Sequence, residues 1–442
     1  MESDERWLSV LAASREAQGR IALILADDGG RSISYADLAK RVEREHVGGT
    51  GLEPIVASAG LPAVVRILAC FEAGVGVALL HPRWTQAEAA AARAQIAAHD
   101  PATDPLDGCL AIVHTSGTSG VPRGVVLSRN AFLAAARASE ENLRWRDDDR
   151  WLLCMPLAHV GGLSVLVRCL LARKTVVLAS RFVAADVPLW IERDRVTLAS
   201  LVPTMLARML DEHSDWRAPP HLRAVLLGGD GAPPALLARA AGRGLPVLLT
   251  YGLTETCGQV ATQRPGTPPA VRGAPPLSGV ELRIVENRIQ VRGPALMTAY
   301  FPRAAHPGPF SADGWLETGD LGRIDEEGRL HVLGRWDDRI VTGGETVHPR
   351  EIELALEAHP AIREACVFGL PDERWGRIVA AAIVPHGAPP SEADLGDFLA
   401  GRLAPFRLPR RIFFAKNLPR GPSGKLDRRA AARVSHPSPD DH

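Results

Sequence analysis

The run Thr115-Ser116-Gly117-Thr118-Ser119-Gly120-Val121-Pro122-Arg123-Gly124 has residue types suited to holding phosphate. Glycines let the backbone approach an anion, while hydroxyls and amide N–H groups donate to phosphate oxygens. A flexible linker uses similar residues, but linkers do not usually join a strand-like run to apolar residues such as those at 125–127, so phosphate binding is the preferred reading. It is not a Walker A loop, because G-x-x-x-x-G-K-[ST] is absent. Further along, Glu255 in Tyr251-Gly252-Leu253-Thr254-Glu255 offers hard oxygen to a cation beside phosphates. Asp320 in Thr318-Gly319-Asp320 offers a carboxylate acceptor, although a Gly-Asp pair also makes ordinary turns. Lys425, in a Gly/Pro/Ser-rich run, is a point charge able to meet oxygens as negative charge develops. The usual alternative is a solvated surface lysine. Only Lys40, Lys174, Lys416 and Lys425 are lysine among 51 basic side chains, so a lysine here carries more information than usual.

These residues need elements to position them. From about 21 to 280, aliphatic runs alternate with stretches of helical period, the βαβ pattern of an open parallel sheet with helices on both faces. The pattern predicts strands at 111–114, 175–178, 198–201, 224–227 and 246–250, and helices at 86–98, 131–141 and 235–241. After Pro275, short strands at 280–285, 288–292 and 329–333 with turn punctuation suggest an antiparallel β subdomain. From Asp337 a small α+β domain follows, with helices at 349–359 and 391–403 and strands at 362–369 and 378–385. The expected class is therefore α/β: a large N-terminal domain of layered mixed sheets with helices plus a β subdomain, and a small mobile α+β C-terminal domain. The expected bounds are 1–334 (β subdomain 276–334), a hinge at 335–338, 339–435, and a disordered polar tail at 436–442. There is no internal repeat.

Composition bounds the function. The chain has 442 residues, 46% hydrophobic and 23% charged, with zero formal net charge. Nothing global attracts nucleic acid or anionic lipid, so anionic ligands must be met locally. The first ten residues lack the pattern of a signal peptide. The most apolar stretches, 163–171 and 378–384, fall short of the roughly 20 residues that span a bilayer, so no membrane span is expected. The six cysteines form no C-x-x-C pair and read as small buried hydrophobes in a reducing cytoplasm.

With these motifs in hand, the chain resembles the adenylate-forming superfamily of acyl-CoA synthetases, peptide-synthetase adenylation domains and luciferases. The resemblance makes Thr115, Ser116, Gly117, Thr118, Ser119, Gly120 and Arg123 a phosphate loop, with arginine at 123 where the family usually has lysine. It implies that Tyr251 lies by adenine, Thr254 reaches phosphate and Glu255 holds magnesium. Asp320 would accept from the ribose hydroxyls, and Arg335, in Gly334-Arg335-Trp336-Asp337-Asp338-Arg339, would contact the nucleotide. Asp337 would be the hinge about which the small domain turns. Lys425, Glu255 and Thr118 would carry catalysis.

Pro156-Leu157-Ala158-His159-Val160-Gly161-Gly162-Leu163-Ser164, Ser200-Leu201-Val202-Pro203-Thr204 and Gly343-Gly344-Glu345-Thr346-Val347-His348-Pro349 resemble the branch of ligases acting on o-succinylbenzoate in menaquinone biosynthesis. This implies an acyl pocket lined by His159, Gly161, Gly162, Thr204 and Gly229, although His159 also suits a core histidine and Gly229 a plain strand-end turn. Met205 stands where that branch often has glutamine. The implied reaction is acid–CoA ligation through an acyl-adenylate, with ATP, Mg2+ and coenzyme A. Another aryl- or fatty-acyl-CoA ligase and an adenylation domain loading a carrier protein remain open. A silent nucleotide-binding regulator fits least, because Lys425, Glu255 and Asp320 are all present. Expected partners are a small carboxylic acid, ATP and coenzyme A, with no nucleic acid; a homo-oligomer is left open.

Overall fold

Short polar side chains start many helices. Ser9, Ser34, Thr85, Ser128 and Ser391 each accept the backbone N–H three residues on, satisfying a donor that the first turn leaves free. The computed structural model describes residues 8–48, 51–100, 106, 108–115, 123–303, 308–421 and 426–435. The chain divides into two units. The first is Met1–Gly228 with Ala240–Leu282 and Val291–Leu316, and the second is Gly229–Arg239 with Arg283–Gln290 and Glu317–His442.

The first unit holds two sheets. One has eight strands in the order Gly258–Thr262, Val247–Leu253, Ala224–Leu227, Leu198–Leu201, Arg150–Leu153, Thr175–Leu178, Ile21–Leu25 and Arg31–Ser34. Its interior pairs are parallel and its two edge pairs antiparallel. The other has five: Ala299–Phe301, Arg123–Ser128, Cys109–Thr115, Gly76–Leu80 and Leu52–Val56. Along Gly76–Leu80, Val77 and Leu79 enter the main core, while Ala78 and Leu80 join Ala92, Ile96, Ile112, Val126 and Phe301 on the other face. That is period-two alternation in a strand covered on both sides.

The layered mixed sheets expected for the large N-terminal part are two in number, and the alternating runs read as an open parallel sheet are divided between them. The five strands expected in this region each overlap an observed one, whereas others such as Ile21–Leu25 and Arg150–Leu153 were not read, and a run of residues does not specify its partner. After Thr115 the chain turns back, and Arg123–Ser128 pairs antiparallel with Cys109–Thr115. Among the described residues no helix is long and apolar enough to cross a membrane. All six cysteines are free, and five are buried. Burial pushes the Cys70 thiol up to about 11 and that of Cys154 to about 12, so neither is a thiolate at neutral pH.

A four-stranded sheet has the order Glu281–Val285, Arg288–Arg292, Leu316–Ile324 and Leu330–Arg335, the last two antiparallel. In the second unit, Ile362–Asp372, Gly376–Pro385 and Arg411–Phe414 form a three-stranded sheet beside the helices Pro349–Glu357, Glu392–Ala400 and Arg428–Ser435. Ala365 and Val367 pack with Ile352, Leu356 and Leu395, whereas Cys366 and Phe368 pack with Leu418 and Ala431. The strand Arg411–Phe414 and the helix Arg428–Ser435 were not read from the sequence.

Candidate active site

Thr115 ends one strand and Arg123 begins the next, so the phosphate-loop motif spans a connection between antiparallel neighbours. Ser116, Gly117, Thr118, Ser119 and Gly120 lie outside the described residues. Tyr251 and Thr254 are half-buried, at the end of Val247–Leu253 and the start of the turn Thr254–Thr256. Gly252 is obligatory here, because a Cβ would sit 1.7 Å from the Gly258 carbonyl oxygen. The motif is therefore a close backbone crossing, not an exposed turn.

That turn presents Glu255 to Arg123. A guanidinium nitrogen of Arg123 is 3.5 Å from Glu255 Oε1, and Tyr300 Oη donates to the same oxygen at 3.0 Å. The other carboxylate oxygen accepts no hydrogen bond from a described residue. Glu255 thus keeps one anionic oxygen open, which suits a hard cation escorting phosphate. Glu255 is the described residue that would hold magnesium, which would supply charge neutralisation beside phosphate.

The acyl-pocket motif opens the helix Val160–Leu171, with His159 at the N-cap and its ring 5.0 Å from that of His81. Gly162 is packed so tightly that a Cβ would meet the Pro156 carbonyl oxygen at 2.4 Å, so it presses the helix end onto the preceding loop. Gly161 is half-buried near Met155, and Thr204 is half-buried in the first turn of Pro203–Glu212.

Sequence reasoning missed Arg168. It is 5% exposed, yet among the described residues it has no carboxylate partner, and its Nε is buried without a hydrogen bond. One turn earlier on the same helix, Ser164 Oγ is also buried and unsatisfied. Both face Gly258, where an added Cβ would lie 3.6 Å from Ser164 Oγ and 3.9 Å from an Arg168 nitrogen. Burial pushes the Arg168 guanidinium down to about 10, so it stays charged at neutral pH. A lone arginine inside Val-Gly-Gly-Leu-Ser-Val-Leu-Val-Arg-Cys-Leu-Leu was the available signal.

In the second unit, Asp320 and Arg335, taken from separate motifs, are direct cross-strand partners. Arg335 Nε is 3.2 Å from Asp320 Oδ1, and Asp320 is 5% exposed. Thr318 Oγ1 donates to the Ile289 carbonyl and accepts from the Asp320 N–H. The Thr-Gly-Asp run is thus a fixed strand segment rather than a turn. Trp336, just before Asp337, lies between the guanidiniums of Arg288 and Arg339, each 4.0 Å from its ring. Gly229 also falls in this unit, just after the strand Ala224–Leu227, with a φ of +84°. Lys425 lies outside the described residues, but its flanks are anchored: Arg420 reaches Glu364 at 2.9 Å, and Arg428 reaches Glu353 and Asp338 at 2.8 and 3.0 Å.

A cavity of about 600 Å³ in the first unit, lined by Asn142, Trp145, Arg146, Arg223 and Arg264, contains none of these residues. Arg223 there pairs with buried Asp149 and caps the carbonyls of Leu143 and Arg144, which is a structural role.

The α/β chain thus brings Glu255 beside Arg123 and Tyr300, and buries Arg168 without a carboxylate partner among the described residues. Residues 85–301 match the family model for the AMP-binding enzyme and residues 351–425 that for the AMP-binding enzyme C-terminal domain. The 2-succinylbenzoate–CoA ligase of Bacillus subtilis is 40% identical over 333 residues, covering 73% of this chain and 68% of that protein. The chain belongs to the AMP-binding enzyme family. Its fold is similar to o-succinylbenzoate CoA synthetase from Bacillus subtilis in complex with the acyl-adenylate intermediate, with a TM-score of 0.84, 32% identity, and 96% and 97% of the two chains covered. The same enzyme in complex with ATP and magnesium ion gives 0.84 and 32%, covering 97% and 99%.

Proposed function

We infer that this chain is an AMP-forming acid–CoA ligase that activates o-succinylbenzoate with Mg-ATP and transfers the acyl group to coenzyme A. The related ligases and the likeness to a synthetase solved with its acyl-adenylate support the reaction. The substrate reading is carried by Arg168. Arg168 lies over the Trp151 ring, 5.6 Å from its centre, but has no carboxylate partner among the described residues, and a buried cation is costly unless an anion arrives to meet it. o-Succinylbenzoate has two carboxylates: the succinyl one reacts, and the ring one needs a buried donor. Arg168 and Ser164 supply a guanidinium and a hydroxyl on one helix face.

In the first half-reaction a succinyl carboxylate oxygen attacks the α-phosphorus, pyrophosphate leaves, and Lys425 meets the developing charge. In the second, the thiol sulfur bonds the acyl carbon, the acyl–phosphate oxygen bond breaks, and AMP leaves. Lys425 is withdrawn for that step by a turn of the C-terminal part of the chain about Asp337. Residues 1–334 and 339–435 are read as the two parts so related. The setting is read as cytoplasmic.

The test is mass-spectrometric detection of thioester after incubation with Mg-ATP, coenzyme A and o-succinylbenzoate, benzoate or a medium-chain fatty acid. Product from o-succinylbenzoate alone is expected. Product only from the others would overturn the substrate, and AMP without thioester would favour carrier loading. Lys425→Ala is expected to abolish adenylation yet spare thioester formation from supplied acyl-adenylate; equal loss of both would remove that role.

A further inference from the structure

The segment around Tyr300 grips Glu255 twice. Met297 N–H donates to the Glu255 carbonyl at 2.8 Å, and Tyr300 Oη donates to its carboxylate at 3.0 Å. Tyr300 is 5% exposed and lies in the strand Ala299–Phe301, which pairs antiparallel with Arg123–Ser128, so its ring is delivered beside Arg123. The Arg123 guanidinium carbon sits 3.7 Å from the centre of the Tyr300 ring, and its Nε is buried without a hydrogen bond. A planar guanidinium can lie flat on a ring and still point one nitrogen at a carboxylate; a lysine ammonium cannot do both in this way.

We propose that Tyr300 is a positioning residue that aims the Glu255 carboxylate at the cation of the bound nucleotide, and that arginine at 123 is matched to this tyrosine ring. The proposal deepens the ligase reading and rests on it. Tyr300 Oη occupies one carboxylate oxygen, which orients the other outward. Arg123, stacked on the ring, keeps a positive charge at the phosphate-loop end without claiming that outward oxygen. Outer partners of this kind commonly change metal affinity by about 10–100-fold when removed. The arginine that departs from the family's usual lysine is thereby explained by a neighbour about 180 residues away in sequence.

The test measures ATP binding by calorimetry, without acid or coenzyme A, across a magnesium titration. For Tyr300→Phe, which keeps the ring, the magnesium concentration giving half-maximal ATP affinity should rise about tenfold, with binding in chelator unchanged. Arg123→Lys should weaken Mg-ATP binding about fivefold in the native background and not at all beside Tyr300→Leu, because the stack it removes is already gone. A magnesium midpoint within twofold of native in Tyr300→Phe would overturn the positioning role. Equal effects of Arg123→Lys in both backgrounds would overturn the matching. Arg123 is about one-third exposed, so its variant tests the proposal even where Tyr300→Phe folds poorly. If the native protein binds no Mg-ATP, the ligase reading itself fails, a result distinct from native binding with indifferent variants.

Discussion

At the scale of single residues, the contrast between Lys425 and Arg168 shows how residue type informs and misleads. The arginine-rich composition drew attention to each lysine, yet Lys40 and Lys174 sit 3.1 and 3.5 Å from Asp37 and Asp147 as ordinary ion pairs. Scarcity marks a residue without assigning its role. Arg168 was passed over for the opposite reason, being one arginine among many; its apolar helix was the only signal in the sequence, and its burial without a carboxylate among the described residues is what gives it weight. Arg168→Met should raise the KM for o-succinylbenzoate by at least about tenfold, the loss of a charged hydrogen bond being about 1.5–3 kcal/mol. The KM for ATP should not change, nor should turnover of the analogue lacking the ring carboxylate. The same variant should melt no lower than native, since an unpaired buried cation opposes folding. A clear loss of thermal stability with unchanged KM would make Arg168 a structural residue.

At the scale of elements, the helix Pro349–Glu357 carries a buried ion network. Glu353 is fully buried, and its two carboxylate oxygens share one guanidinium nitrogen of Arg428 while one of them also accepts the Val367 N–H. On the next turn, Glu357 is 4% exposed beside Arg350. Burial pushes the Glu357 carboxyl up to about 7, while Arg350 pulls the other way. Because the folded value lies above the unfolded one, this group's contribution is complete below about 4.5 and is lost as pH rises through about 7. The advantage of native over Glu357→Gln should therefore shrink between those pH values, by up to about 3 kcal/mol. Denaturant melts of both proteins at pH 5 and 8 read this directly, and a pH-independent difference would refute it. Short-range patterning predicted this helix to 349–359, but the network has partners about 75 residues away, which no local pattern announces.

At the scale of the whole molecule, the two units hold separate apolar clusters, one built around Trp151, Phe132 and Leu79, the others around Ile352 and Phe368. Separate cores allow separate unfolding transitions. Ile352→Ala, at a fully buried position, should cost about 2–5 kcal/mol and lower only one component of a calorimetric melt. A single transition moved as a whole would show that the units unfold together.

Local chemistry was enough to place strands such as Thr175–Leu178 and Leu198–Leu201 and helices such as Gln86–Ala97 and Pro349–Glu357, and to single out the motifs by which the chain resembles the adenylate-forming enzymes. These are properties of runs of a few residues, where hydrophobic period, glycine and caps act on neighbours in the chain. Tertiary structure alone decided how the strands divide between two sheets, that Asp320 faces Arg335 across a ladder, that Tyr300 holds Glu255, and that Arg168 is buried without a carboxylate among the described residues. Each depends on which distant segments pair and on what is excluded from water, and neither is encoded in the spacing of residue types along a single segment.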